Sequence, residues 1–450
     1  MAGALTADQR RWRYRIFALT WLGYAGFYLC RNNLSVVMPL MSEDLGYTKL
    51  QFATVLSFYH LLYMLGQFVN GISADRFGPR LVVGVGLLVS ILSNLLMGFA
   101  SSLLLFMVLA ACNGAAQSTG WPGLVKNMAG WFRYRERGVV MAWWATNYVL
   151  GGGFATIFAT YWAVQSGILA AWGWRRGFWI PAIFLLPIWG SYVLLVRNSP
   201  VDAGIEDILE RDAGHETGQA GQGSDYSGTD EPRRADMAAI LRRVLSEPAV
   251  WVIAIMYFFL KMTRYSFLFW LPWYMIDDLG YGAAEAGYTS ALYGLVGFVG
   301  VIIAGYASDK LVQSRRFPVG AVMLFGLALV CFLQPILTAW GPFYVAVWIA
   351  LVGIMTYGPD TLMTGAAAQD FGGREGSGTA AGFINGVGSL GQLCSPFLVA
   401  VVVENYGWDR LFYVFVFFAL IGGVLLATCW NTQTPGNSPL RGDPEPAAVM

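Results

Sequence analysis

Apolar runs of about 20 residues recur along the whole of this 450-residue chain, each long enough to cross the hydrocarbon of a bilayer. Hydropathy puts twelve of them near 16–39, 52–73, 81–100, 103–124, 139–163, 177–196, 250–272, 286–306, 318–338, 343–364, 379–403 and 410–430. The charge content agrees: 12% of residues are charged and 56% apolar, where a soluble domain carries roughly 25% charged residues. Such a chain cannot clothe a water-facing surface of its own size. An ordinary soluble enzyme, a disordered scaffold and a disulfide-stapled secreted domain are thereby excluded. The net charge of +1 implies no bulk attraction to nucleic acid. The expected fold class is an all-α polytopic membrane protein with twelve transmembrane helices.

Five cysteines, Cys30, Cys112, Cys331, Cys394 and Cys429, all lie in apolar runs without a CxxC pair, so packed thiols are expected rather than a disulfide framework or zinc site. Residues 1–15 are polar and basic, and no small-residue cleavage site follows, so the first span is expected to stay in the membrane. A polar stretch from Arg197 to Pro248 separates six spans from six. Its centre, 214–231, is rich in Gly, Ser, Gln and Asp and reads as a disordered linker, as does the tail after Asn431. Of the 28 Lys and Arg, 21 fall on the side of the N-terminus. Only Lys49, Arg175, Arg176 and Arg410 fall opposite. This bias predicts cytoplasmic termini and linker in a plasma membrane, a bacterial inner membrane being the expected one.

The two sets of six spans are copies. Gly71-x-x-x-Asp75-Arg76 recurs as Gly305-x-x-x-Asp309-Lys310, and Gly173-Trp174-x-Arg176-x-Phe178 recurs as Gly407-Trp408-x-Arg410-x-Phe412, both at an offset of 234. The expected domains are 1–196 (first six-helix half), 197–248 (linker), 249–430 (second half) and 431–450 (tail). Duplicated six-span units are the mark of secondary transporters, with sites near mid-membrane at the interface of the repeats. The charged loops, Asp75, Arg76 and Arg80 with Asp309 and Lys310, either anchor loops on the positive side or act in conformational gating. Their repeated spacing favours gating through contacts between the halves.

Three cations lie inside spans: Arg31, Lys261 and Arg264. A charge at the middle of a spanning helix costs roughly 2.5–3.5 kcal/mol on insertion scales, which makes it functional by default. Arg31 and Arg264 are 233 residues apart, hence equivalent positions in the first helix of each half. Snorkelling does not suit Arg31, about fifteen residues into its span, and an ion pair has only Asp360 to draw on. Two arginines facing one cavity call for an anion. Guanidinium forks match phosphate oxygens bidentately, and a phosphomonoester carries about −1.5 to −2 at neutral pH. Lys261, on the same helical face as Arg264, is expected to pair with Asp360, leaving +2 in the cavity.

Polar residues line up with these charges. Tyr24, Tyr28, Arg31 and Ser35 form one stripe in the first span, and His60, Tyr63 and Gln67 another in the second. Asn147 and Tyr148 in the fifth span face comparison with Asn385 in the eleventh, and Trp121-Pro122 with Tyr357-Gly358-Pro359 in the fourth and tenth. For any single aromatic, helix packing competes with ligand contact. His60 alone is no sign of a proton relay. Gly386-x-Gly388-x-x-Gly391 fits a dinucleotide fingerprint but has no strand before it, so close helix packing explains it better. Asn33-Leu34-Ser35 fits a glycosylation sequon, yet lies within a span.

The Gly-x-x-x-Asp-Arg loops resemble the signature of the major facilitator superfamily. The run Gly23–Asn33, Asn113-Gly114 through Gly120-Trp121-Pro122, Arg264-Tyr265 through Trp270, Tyr357-Gly358-Pro359 and Gly378-Thr379-Ala380-Ala381-Gly382 resemble the organophosphate:inorganic phosphate antiporters of that superfamily. The resemblance implies the major facilitator fold, exchange of glycerol 3-phosphate, hexose phosphates or phosphoglycerates for phosphate, and arginines at 31 and 264 that hold the phosphoryl group. The chain departs from bacterial glycerol-phosphate carriers at Asn32 and Gln67, where they have lysines, at Tyr148, where they have histidine, and at Lys261, where they have tyrosine. Around Lys261–Pro272 it looks closer to eukaryotic sugar-phosphate exchangers.

The expected activity is therefore exchange of a phosphorylated metabolite for inorganic phosphate by alternating access, without cofactor or metal, in a protein that works as a monomer. The expected substrate-binding set is Arg31, Arg264, Lys261, Tyr24, Tyr28, Asn32, Gln67, Trp121, Asn147, Tyr148, Tyr357, Asp360 and Asn385. Two other readings stay open: a membrane sensor of a sugar phosphate, which would use the same pocket, and a proton-coupled organic anion symporter, which would need more intramembrane carboxylates than Asp360. No nucleophile–base pair suggests an enzyme.

Overall fold

A computed structural model describes residues 5–132, 137–205, 242, 244–312 and 315–432. The centre of the linker and the tail beyond 432 lie outside the described residues. Within them the chain is helical: α1 Ala7–Leu29, α2 Asn33–Leu45, α3 Lys49–Phe77, α4 Pro79–Met97, α5 Leu103–Gln117, α6 Gly120–Trp131, α7 Arg137–Val164 and α8 Arg176–Leu195 in the first half. The second half holds α9 Pro248–Asp277, α10 Ala283–Ser290, α11 Leu292–Tyr306, α12 Arg316–Phe332, α13 Gln334–Ala339, α14 Pro342–Thr361, α15 Ala368–Tyr406 and α16 Trp408–Thr428.

Local chemistry sets the helix starts. Thr6 and Gln9 form a capping box on α1, and Thr48 and Gln51 one on α3. Proline opens α4, α9 and α14, where its missing N–H is no loss. Among the described residues nine helical stretches are long and apolar enough to cross a membrane, with a shorter apolar helix over Arg316–Phe332. Continuous spans are only part of the pattern. The first is divided into α1 and α2 by a break at Cys30–Asn32, and the fourth into α5 and α6 at Ser118–Thr119.

The repeated Gly-Trp-x-Arg-x-Phe motif has a structural use in both halves. Trp174 donates its indole N–H to Asp44 at 2.8 Å, and Trp408 donates to Asp277 at 2.7 Å. Each thus ties the entry of the last span to the end of the first. Phe178 and Phe412 are buried behind these bonds.

The halves meet along α3 against α15, α7 against α11 and α9 against α2. At the second of these the backbones come close: a Cβ on Gly294 would lie 3.3 Å from the Gly153 nitrogen. The face where α3 begins and α9 and α15 end, opposite both termini, is latched across the halves. Lys49 Nζ lies 3.0 Å from Asp277, and the Leu50 N–H donates to Glu404 at 3.1 Å.

Candidate substrate site

Arg31 sits at the break of the first span, 5% exposed, instead of within a continuous helix. Non-helical backbone at membrane depth survives only where buried polar groups receive partners. Three amides supply them. Gln117 donates to the Phe27 carbonyl at 2.9 Å, and Asn113 donates to the Cys30 carbonyl at 2.8 Å. Asn94 reaches the same Cys30 oxygen at 3.4 Å. Two further side chains clamp the flanks. Asn33 donates to Asn94 and to the Gly177 carbonyl, and Asn32 donates to the Gly152 carbonyl at 2.9 Å and to Thr156 at 3.2 Å.

The same glutamine aims the arginine. Arg31 Nε donates to Gln117 Oε1 at 2.8 Å, with the guanidinium carbon 4.5 Å from the Tyr28 ring centre and 5.3 Å from that of Tyr63. Its Nη2 is buried with no hydrogen-bond partner. Nε is thus held in place, and Nη2 beside it keeps N–H groups to donate.

Arg264 differs from its repeat partner. It lies in the unbroken α9, 7% exposed, and its Nη1 donates to both oxygens of Asp360, at 3.0 and 2.9 Å. The expected Lys261–Asp360 pair is thus replaced, and Arg264 is not an unpaired cation. The reason is the packing of α9. Lys261 faces α15, where a Cβ on Gly388 would lie 3.1 Å from its Cδ, and its Nζ donates to Ser389 at 3.3 Å. Arg264, one turn on, faces α14, which brings Asp360. Formal charges of Arg31, Lys261, Arg264 and Asp360 still sum to +2, now shared between Arg31 and Lys261 around a neutral pair.

Aromatic rings surround the second arginine: the guanidinium carbon is 4.8 Å from the Tyr357 ring centre and 5.5 Å from those of Tyr148 and Tyr265. Tyr148 also bridges the halves, its hydroxyl 2.9 Å from Thr361 Oγ1. Tyr28, Asn32, Arg264, Tyr265 and Tyr357 line one small cavity, and Arg31, Tyr59, Asn113 and Phe269 line a neighbouring one.

The remaining expected residues divide. Tyr24 is 4% exposed among Phe27, Tyr28, Trp121 and Trp144, as packed aromatics are. Trp121 joins Tyr24 to Tyr148. Asn147 is fully buried with both amide atoms unpartnered. Gln67 is half-buried on α3 beyond Tyr63. Asn385 donates within its own helix to Ala381 and accepts from Ser389. The Gly386–Gly391 run packs α15 on α9, Gly391 lying against the Phe258 carbonyl.

Of the loop charges, Arg80 bonds within its own half, to the Val193 carbonyl at 2.7 Å and through its N–H to Asn198 at 2.9 Å, rather than across the halves. Arg76 and Lys310 are exposed. The side chains of Asp75 and Asp309 lie outside the described residues. Sequence reasoning missed Gln117, Thr361 and Ser389. Gln117 had a usable signal: a glutamine four residues after Asn113 in an apolar span requires a partner for each amide atom.

A family model described as Major Facilitator Superfamily matches residues 20–393 and 312–448. The chain belongs to this superfamily. It is a multi-pass membrane transporter by that membership. The glycerol-3-phosphate transporter of Bacillus subtilis is 28% identical over 437 residues, 95% of this chain and 94% of that protein. A probable hexose phosphate transport protein of Chlamydia trachomatis is 28% identical over 435 residues, 94% of this chain and 92% of that protein. Among solved structures, a bacterial homologue of the human lysosomal transporter Spinster, inward-facing and unoccupied, superposes with a TM-score of 0.69. That match is 15% identical and covers 93% of this chain and 96% of the other. It speaks to the fold alone.

Proposed function

We propose that this protein exchanges a phosphorylated metabolite for inorganic phosphate by alternating access, binding the phosphoryl group between Arg31 and Arg264. The observation that carries the reading is a free donor on Arg31: a buried Nη2 without a partner, on a guanidinium whose Nε Gln117 holds in place. Such a group awaits an acceptor that carries charge, and a phosphoryl dianion matches the +2 left by Arg31 and Lys261. The relatives named for glycerol 3-phosphate and hexose phosphate support the class of substrate.

The Arg264 chamber is walled by both halves and the Arg31 chamber by the first half with Phe269 from the second, and the latch from Lys49 to Asp277 closes the face opposite the termini. In this reading the terminal face is cytoplasmic, in keeping with its excess of Lys and Arg, the membrane is a bacterial inner membrane, and a monomer suffices. Asp75, Arg76, Arg80, Asp309 and Lys310 would act as gating charges on that face in the conformation that closes it.

The test is a substrate panel. Purified protein in phosphate-loaded liposomes would be given labelled phosphorylated C3, C5 and C6 compounds outside. Rapid uptake of at least one, competed by unlabelled phosphate, is the expected result. Tight binding with no uptake of any would point to a sensor and overturn the carrier reading.

A further inference from the structure

His60 is 1% exposed on α3, and neither ring nitrogen has a hydrogen-bond partner. Burying two unsatisfied polar atoms is a liability that leucine at the same place would avoid. The ring sits at the contact between halves. On its own helix it meets Tyr59, with ring centres 5.2 Å apart. From the other half, α9 presents Tyr265 at 5.5 Å and Phe269 at 5.3 Å, both edge-on. Tyr265 lines the Arg264 chamber, while Tyr59 and Phe269 line the Arg31 chamber. His60 is therefore part of the partition between the two arginines. One turn further along α3, Tyr63 lies under the Arg31 guanidinium.

We propose that His60 is a specificity-determining substrate contact, which binds a hydroxyl of the organic part of a phosphorylated polyol or sugar. This rests on the phosphate-carrier reading above. An imidazolium would add another cation to Arg31, Lys261 and Arg264, so the neutral ring is the useful form, with one N–H and one lone pair. A phosphoryl oxygen of a dianionic ester can only accept. It satisfies arginines and leaves the imidazole lone pair unmatched. A hydroxyl both donates and accepts, so it can bond whichever His60 nitrogen it meets in either tautomer. The arginines then hold the phosphoryl group, and the histidine reads whether an oxygen-bearing carbon lies beside it. Because its ring contacts come from both halves, the bound hydroxyl is enclosed when they meet.

The experiment compares binding by the purified full-length protein of glycerol 3-phosphate, glucose 6-phosphate and the hydroxyl-free propyl phosphate, in wild type, His60→Leu and His60→Asn. Wild type should prefer one hydroxylated ester to propyl phosphate by tenfold or more, since a site built to bond a hydroxyl rejects the analogue lacking it. His60→Leu should erase that preference and leave the propyl phosphate affinity within about twofold. His60→Asn, which keeps a donor and an acceptor, should retain part of the preference and guards against loss of folding in the leucine variant. An unchanged preference in both variants, or an equal loss for hydroxylated and alkyl esters, would overturn the proposal and leave the phosphate reading intact. Wild-type protein that binds none of the three would overturn both.

Discussion

Arg264 and Asp360 form a closed ion pair inside the membrane, one guanidinium nitrogen serving both carboxylate oxygens at 2.9 and 3.0 Å. In the proposed function, a phosphoryl oxygen that reached Arg264 would meet Asp360 already on its Nη1. The carboxylate offsets the desolvation of a buried cation, and in the proposed function it would compete with the substrate for Arg264.

Asp360→Asn should consequently have opposite effects on stability and affinity. Breaking a buried pair costs roughly 3–5 kcal/mol because it strands the partner charge. The empty variant should melt several degrees lower than wild type, and phosphate should raise its melting temperature more than it raises that of wild type. Thermal unfolding in detergent with and without phosphate reads both. Equal phosphate-induced shifts in the two proteins would show that Asp360 does not compete for Arg264.

The forks themselves are tested by lysine. Arg31→Lys and Arg264→Lys keep the charge and lose the planar donor set, and in the first case the grip of Gln117 as well. Each should weaken phosphate binding by tenfold or more while leaving the helical content unchanged. Titration of phosphate against intrinsic tryptophan fluorescence is suitable. Near-normal affinity in either variant would remove that arginine from the phosphoryl site.

The break of the first span depends on amides that reach its carbonyls. Asn113→Leu leaves the Cys30 oxygen with only the longer bond from Asn94, and Gln117→Leu leaves the Phe27 oxygen with only the Cys30 N–H and releases Arg31. Losing one of two hydrogen bonds to a buried acceptor costs about 0.5–1.5 kcal/mol. Both variants should be destabilised to that degree, and only Gln117→Leu should also lose a large part of its phosphate affinity. Identical binding defects would mean that Gln117 acts through the fold alone.

At the face opposite the termini, Lys49 and Asp277 are 19% and 40% exposed, so their bridge contributes about 0–1 kcal/mol. That is still enough to tilt a balance between conformations by up to about fivefold. Ser57, buried at the contact of α3 with α15 and donating to the Leu393 carbonyl, is a reporter site. In a Ser57→Cys background, Lys49→Ala should speed labelling by an impermeant maleimide by up to about fivefold. Unchanged labelling would show that this bridge does not hold the face shut.

Much of this architecture was legible in the residues themselves. Apolar length gave the spans, and two motifs at one offset gave the repeat, because duplicated packing problems keep duplicated solutions: Trp174 on Asp44 and Trp408 on Asp277. Charge in apolar runs marked Arg31, Lys261 and Arg264, because nothing else in a span carries such a cost. Pairing was not legible. Lys261 and Arg264 are about one turn apart in the sequence, and only the approach of α14 and α15 decides which of them Asp360 meets. The break at Cys30–Asn32 was equally hidden. No proline or glycine marks it, and the amides that sustain it come from α4 and α5.

In the proposed function, a phosphoryl group held between the two halves by Arg31 and Arg264 is what lets the carrier change sides. With no anion bound, Arg31 and Lys261 would lack a counter-charge of their own, and closing the halves around them would strip their water. A bound dianion compensates both, so it favours the closed intermediate over the open states, which is the differential interaction that any ligand-driven change requires. Uptake of a labelled sugar phosphate into liposomes loaded with phosphate, compared with liposomes loaded with an inert buffer anion, measures this directly. Rapid uptake that depends on internal phosphate and persists when the proton gradient is collapsed is the predicted result. Equal rapid uptake into both, or uptake that vanishes with the proton gradient alone, would contradict it.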